Sequence, residues 1–374
     1  MLSWLEIDAD AIGRNLDAFR TVVPPNTAVM AVVKANAYGH GIEAVAPVAA
    51  AHADWLGVNS LDEALLIRGL GIEKPIAILG HTELHRLQAV VAGEFRQVVY
   101  REDVAAALSQ AAKDGKTTAR VHLKVETGTH RQGIALEELS GFVQRILELP
   151  DLDIEGVYTH FANIEDTLDP SFAQLQLDKF RQALAVLEDA GAHPSWTHAS
   201  ATAGALLYPE TGFNMIRVGI GTYGIWPSRE TQLAARERGR KITLTPALTW
   251  KTRIAQIKTV EAGNYIGYGL TYQASHRMKV AVLPIGYFDG YDRKLSNCGR
   301  ALVGGHAVPV VGRVMMNMTA LDVTDVDVKE DDEVVLIGRQ GKAEIRAEEV
   351  AEKSGTIAYE VVSRINPGIP RVIV

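Results

Sequence analysis

The segment Ala31-Val32-Val33-Lys34-Ala35-Asn36-Ala37-Tyr38-Gly39-His40-Gly41 decides the fold of this chain. It closes an apolar run, Ala28 to Val33, and the first charge after that run is the ammonium of Lys34. A run this short, followed by a turn carrying Asn and Gly, reads as a buried strand. Lys34 therefore emerges where a strand stops, beside a polar loop. A lysine in a partly desolvated site can lose its proton and become a nucleophile or a Schiff-base former. A strand-end lysine can equally lay its methylenes on apolar surface and keep its charge in water. The rest of the chain bears on that choice.

Outward from this segment the same rhythm repeats. Short apolar runs occur at Val29–Val33, Trp55–Val58, Ile76–Leu79, Val98–Tyr100, Val121–Val125, Ile154–Tyr158, Trp196–His198 and Met215–Val218. Helical patterns lie between most of them, as at Leu61–Gly69, Val104–Asp114, Ala135–Leu149 and Phe172–Ala190. The start of the chain reads as a helix capped by Asp8 or Asp10, with Ile12, Leu16 and Phe19 on one stripe. Strands alternating with helices predict parallel βαβ units. Eight of them in roughly 200 residues predict a closed (β/α)8 barrel of TIM type, not an open sheet.

From about Ile242 the helices drop out. Leu248–Ile257, Lys279–Ile285, Val308–Arg313, Thr319–Val323 and Glu333–Ile337 read as strands separated by Gly and Asp turns, with one late helix near Ala347–Lys353. The expected organisation is a barrel over residues 1–238 and a mostly-β domain over 239–374, with the Arg- and Glu-rich stretch Arg229–Lys241 as the boundary.

Composition narrows the class. Hydrophobic residues make up 47% of the 374 and charged residues 22%, the profile of an ordinary globular protein. A net charge of −7 with scattered acids argues against a nucleic-acid surface. The lone Cys298 excludes an intramolecular disulfide and a cysteine zinc cluster, and no metal is expected. The start, Met1-Leu2-Ser3-Trp4-Leu5, lacks the regions of a signal peptide, and no apolar stretch approaches membrane-spanning length. The expectation is a cytoplasmic protein without membrane partners.

Catalytic groups of such barrels lie at the C-terminal strand ends. Here those ends carry Lys34, Asn59, Tyr100, Lys124 with Glu126, His160, His198 and Arg217. Phosphate sites favour the loops after the seventh and eighth strands. These are Ser200-Ala201-Thr202-Ala203-Gly204 and Val218-Gly219-Ile220-Gly221-Thr222, small residues and glycines that let backbone N–H groups approach an anion. Each loop alone is an ordinary tight turn. Together, opposite a strand-end lysine, they point to a phosphate-bearing aldehyde such as pyridoxal phosphate (PLP).

At these residues the chain resembles the alanine racemase family of fold-type III PLP enzymes. The resemblance spans essentially the whole chain, through AVVKANAYGHG, KVETGTHRQG, VYTHFA, RVGIGTYG, IGYGLTY, PIGYFDGY, GRVMMNM and AYEVVSRI. It implies that Lys34 binds PLP covalently as a Schiff base and serves as one catalytic base. Tyr268, from the β domain of the partner subunit, would be the second. Tyr38, Thr202, Gly219, Ile220 and Tyr359 would hold the phosphate, and Arg217 would face the pyridine nitrogen. His160 would tune its neighbours. Arg131 would support the ring oxygen and the substrate, Lys124 resembles the lysine often carbamylated in the family, where its new negative charge would orient Arg131, and Met316 would meet the substrate carboxylate. The activity implied is interconversion of L- and D-alanine by a homodimer with shared sites, supplying D-alanine for peptidoglycan. Three departures stand out: Ser200-Ala201-Thr202 lacks the usual Asn-Ser pair, Asn317 replaces a common Asp, and Thr129-His130 with Gln132 replaces Met-Gly and Leu.

The chemistry explains why two bases are wanted. Racemisation removes the Cα proton on one face and returns it on the other, so two opposed groups are expected. A tyrosine can serve if nearby cations draw its pKa down from about 10. From the sequence pattern alone Tyr268, like Tyr265 and Tyr272, is a packing residue of a β stretch. His198 reads as a satisfied polar group at a strand end. The alternatives are a racemase of the same fold acting on serine or lysine, a fold-type III decarboxylase, a non-catalytic PLP carrier, and a barrel binding some other phosphate.

Overall fold

The computed structural model describes residues 1–374, and the chain packs as two compact units. One comprises Ile12–Ala35 and Val45–Thr245; the other comprises Met1–Ala11, Asn36–Ala44 and Pro246–Val374. The first strand, β1 (Ser3–Ile7), belongs to the second of these. The first unit is built from β2 (Ala28–Val32), β3 (Trp55–Val58), β4 (Ile76–Ile78), β5 (Arg96–Val99), β6 (Ala119–Lys124), β7 (Leu152–Tyr158), β8 (Trp196–His198) and β9 (Met215–Val218). Neighbouring strands are parallel, in the order β8-β7-β6-β5-β4-β3-β2-β9. Between β8 and β9 there is no ladder, but Arg217 N–H donates to Ser200 O at 3.1 Å and Asn214 N–H to Thr197 O at 3.4 Å. The result is a nearly closed eight-stranded barrel with helices between its strands.

The residues explain the arrangement. Every position of β2 is buried, as a parallel strand with both faces covered must be. Its Ala28 and Met30 pack with Trp55, Ala77 and Met215 in one cluster. The helix Leu61–Gly69 starts in a reciprocal cap: Ser60 Oγ accepts from Glu63 N–H, and the Glu63 carboxylate accepts from Ser60 N–H. At the chain start, the carboxylate of Asp8 accepts from Ala11 N–H at 2.7 Å and begins the helix Ala9–Arg20.

The second unit carries β10 (Leu248–Arg253), β11 (Gln256–Val260), β12 (Met278–Leu283), β13 (Arg300–Val303), β14 (His306–Pro309), β15 (Thr319–Asp322), β16 (Glu333–Gln340), β17 (Ala343–Ile345) and β18 (Arg371–Ile373). One sheet runs β14-β13-β16-β10-β1-β18 with β17 beside β16; a second runs β11-β12-β15. Ile266, Ala274, Met278, Val280, Val311 and Ala320 form a core cluster beside the smaller sheet.

Several expected boundaries differ. The single strand expected over 248–257 is two, because Ile254 N–H bonds to Asp332 O while Ala255 N–H bonds to Val282 O, passing the chain from one sheet to the other. The strand expected at 308–313 ends at Pro309, and Gly312 turns the chain with φ +75°. The boundary expected at 238/239 placed the whole start of the chain with the barrel. Instead β1 pairs antiparallel with β10 and parallel with β18, which draws Met1–Ala11 into the second unit. The stretch read as a boundary, 229–241, opens with a helix, Arg229–Glu237, capped by Ser228.

Candidate active site

Lys34 stands at the end of β2 and opens a helical turn, Lys34–Tyr38. The turn is left-handed: φ is +55°, +53°, +53° and +51° at Ala35, Asn36, Ala37 and Tyr38. Each such residue costs about 1–2 kcal/mol, and strain of this kind gathers at functional sites. Hydrogen bonds hold the end of the turn. Asn36 Oδ1 accepts from Ile42 N–H at 2.9 Å and Asn36 O from Gly41 N–H at 3.0 Å. The Arg371 guanidinium donates to Gly39 O through Nε at 3.2 Å and Nη2 at 2.9 Å.

Around Lys34 the barrel collects positive charge. Burial lowers the Lys34 pKa first, and the cations of Arg131 and Arg217 lower it further against the opposing pull of Glu63. Lys124, buried on β6, is brought down to about 8 by burial and then by Arg131 and Arg217. Its Nζ donates to Gln132 Oε1 at 3.3 Å, and Gln132 Nε2 donates to Tyr100 Oη at 3.1 Å. Glu126, the acid nearest this group by sequence, spends its carboxylate on Arg131 N–H at 3.3 Å and Thr129 Oγ1 at 3.1 Å, besides Gly128 N–H.

Arg217 is buried on β9 and makes no ion pair with a carboxylate. Its Nη2 donates to Thr159 O at 2.9 Å, Ala199 O at 2.8 Å and His160 Nδ1 at 3.3 Å; its Nη1 donates to His198 Nδ1 at 2.5 Å. The guanidinium also lies over the Tyr158 ring, 5.0 Å from its centroid, and that ring stacks flat on His198 at 4.8 Å. Burial draws Arg217 down to about 10, which leaves it charged at neutral pH. Burial, then Arg217 and Arg131, hold His160 neutral well below the usual imidazole range.

The two loops after β8 and β9 meet directly. Buried Thr202 accepts from Gly219 N–H at 3.2 Å and Gly221 N–H at 3.3 Å through Oγ1. Within the second unit, Tyr38 and Tyr359 lie with ring centroids 6.2 Å apart. Burial pushes the Tyr38 phenol up to about 12, so it stays a neutral donor. Tyr268, in a single 3-10 turn between Gly267 and Gly269, is 71% exposed, and Met316 is 56% exposed.

The structure thus brings Lys34, Lys124, Arg131, His160 and Arg217 into one electrostatic neighbourhood, sets Thr202 against the Gly219 loop, and puts Tyr38 beside Tyr359. The sequence reading passed over His122, Glu155 and Arg371. Glu155 preceding a glycine inside a strand, and a buried-strand histidine at 122, were the available signals.

A barrel with a lysine at a strand end, ringed by cations that lack matching carboxylates, defines a class: a (β/α)8 protein whose site is chemically suited to a multiply anionic ligand beside a partly desolvated amine. Residues 7–227 match the model of the alanine racemase N-terminal domain, and residues 247–373 that of the alanine racemase C-terminal domain. The chain belongs to the alanine racemase family. It is 40% identical to an alanine racemase of Leptospira interrogans over 379 aligned positions, covering 100% of this chain and 96% of that one. An alanine racemase structure from Streptomyces lavendulae superposes with a TM-score of 0.93 at 34% identity, over 100% of this chain and 97% of that one. A histidine racemase from Leuconostoc mesenteroides superposes with a TM-score of 0.89 at 28% identity, over 100% and 98%. No helix is long and apolar enough to cross a membrane.

Proposed function

We propose that this protein is a PLP-dependent alanine racemase, a cytoplasmic homodimer that interconverts L- and D-alanine and so supplies D-alanine for peptidoglycan. The observation that carries the reading is the cation cluster of Lys34, Lys124, Arg131 and Arg217, where the two guanidiniums disfavour the charge on both lysines. Such a donor set fits PLP, which brings a phosphate and a ring oxygen, and an amino acid, which brings a carboxylate. When bound, PLP supplies an electron-accepting ring that acidifies the Cα–H bond of an attached amino acid.

The side chains would do the rest. Lys34 would hold the cofactor covalently and, once displaced by substrate, accept or return the Cα proton at Nζ on one face. Its lowered pKa favours the unprotonated amine that this task needs. Tyr268 of the partner subunit would carry the proton at Oη on the other face. Thr202, Gly219, Ile220, Tyr38 and Tyr359 would bind the phosphate, Arg131 and Met316 would orient the substrate carboxylate, and Lys124, if carbamylated, would steady Arg131. Arg217 is too basic to protonate the ring nitrogen it would face, so it would position the ring without making it a full electron sink.

The test is to load the protein with PLP and follow loss of optical activity with single L-amino acids. Alanine should lose its rotation fastest. Alanine that keeps its rotation while serine, lysine or histidine loses it overturns the substrate assignment, a second reading that the shared fold of the histidine racemase keeps in view. Full activity in Lys34→Ala overturns the role of Lys34.

A further inference from the structure

Arg217 heads a buried line of side chains that runs back into the barrel. Its Nη1 lies 2.5 Å from His198 Nδ1, and His198 Nε2 lies 2.9 Å from His122 Nδ1. His122 Nε2 faces Glu155 Oε2 at 3.6 Å. Glu155 closes the line by taking Arg96 with both carboxylate oxygens, at 2.9 and 3.2 Å. Neither imidazole is accessible to solvent.

The order of donors follows from the first contact. A guanidinium carries donors only, so His198 Nδ1 must accept. Burial keeps both rings neutral. His198 then holds its hydrogen on Nε2 and gives it to His122 Nδ1. His122 holds its own on Nε2, toward Glu155. One tautomer of each ring follows this order, set by the guanidinium at the near end. The far end is looser: His122 Nε2 lies 3.6 Å from Glu155 Oε2, beyond hydrogen-bond distance, and has no other hydrogen-bond partner.

The backbone is shaped for this line. Val121 pairs with Ile154 but His122 pairs with Gly156, which leaves Glu155 as the extra residue of a β-bulge in β7. Bulges re-aim side chains and gather beside active sites. Gly156 makes room for the ring: a Cβ there would sit 2.7 Å from three atoms of His122.

We propose that His122 and Glu155 are positioning residues for Arg217, acting through His198. They give the His198 Nε2–H an acceptor, support the tautomer that accepts from the guanidinium, and so help hold Arg217 where the cofactor's ring nitrogen would meet it. That last step rests on the function proposed above; the tautomer line does not.

The test is 15N NMR of the purified protein labelled at histidine, which reads directly which ring nitrogen carries hydrogen. At neutral pH, His198 and His122 should both carry it on Nε2. His122→Leu removes the acceptor and should move His198 toward the Nδ1–H form, while His122→Asn offers an amide oxygen and should keep it on Nε2. In the racemase assay, His122→Leu should lower kcat roughly tenfold with little change in KM, and His122→Asn should recover most of the loss. Glu155→Gln should mix the His122 tautomers, and it serves as the second variant if His122→Leu does not fold. Wild-type His198 protonated on Nδ1, or a His198 tautomer untouched by His122→Leu, overturns the proposal. Expected tautomers in a wild-type protein that racemises nothing would overturn the functional reading and leave the tautomer line supported.

Discussion

Lys34 and Lys124 are both pressed toward losing a proton, for one shared reason. Burial strips water from each ammonium, and Arg131 and Arg217 add like charge. Removing a neighbouring cation must therefore raise the lysine pKa. Arg131→Gln should shift the Lys34 titration upward, toward its ordinary value, as read by 13C NMR after reductive methylation of the cofactor-free protein. An unmoved midpoint would show that burial alone sets it. Tyr268 is an exposed phenol within its own chain. If it is the second base, Tyr268→Phe should lower kcat for alanine by about 10²–10⁴ while leaving the fold intact by circular dichroism. A loss under threefold would return Tyr268 to the packing role its sequence neighbourhood first gave it.

The turn from Lys34 to Gly41 is the element on which the site depends. Four non-glycine residues sit at positive φ there, a cost of about 4–8 kcal/mol against a typical total stability of about 5–15 kcal/mol. Its retention requires tight clamping, and Gly39 shows how tight. It has φ +82°, and a Cβ would stand 1.9 Å from Val362 O. Arg371 supplies the charged clamp on Gly39 O. Hydrogen bonds from a charged group contribute about 1.5–3 kcal/mol. Arg371→Met should lower unfolding free energy by about that amount and increase hydrogen exchange at residues 36–41; unchanged exchange there would mean that the turn holds itself. An ordinary cap gives a scale for comparison: Ser60→Ala should cost about 1 kcal/mol in denaturant unfolding and leave that turn alone.

Across the molecule, buried neutral histidines tie stability to pH. Burial holds His40 down to about 4, and it likewise lowers His122, His160 and His198. In the unfolded chain each imidazole takes a proton near pH 6.5. The unfolded state therefore binds more protons between about 6.5 and 4, and stability falls as pH falls through that window. The His40 shift alone corresponds to about 3 kcal/mol lost by pH 4. Urea unfolding at pH 7.5 and pH 4.5 should show a marked drop; equal stabilities would mean that these rings are solvated.

The amino-acid sequence by itself determined the local and repeating features. Apolar runs a few residues long, punctuated by turns, dictate the eight barrel strands, and AVVKANAYGHG places a lysine at the end of one. Those signals are short-range, so periodicity and turn chemistry carry them. Tertiary structure alone decided what depends on distant partners. Strand β1 joins β10 and β18 because residues some 240 and 360 positions away offer its edges, which no local pattern announces. Glu155 reaches His122 only because one extra residue bulges from β7. The charged clamp at the end of the Lys34 turn comes from an arginine at 371. Sequence period fixes which residues form an element; which polar groups face one another is set by packing, where each must find a partner or pay for its lost water.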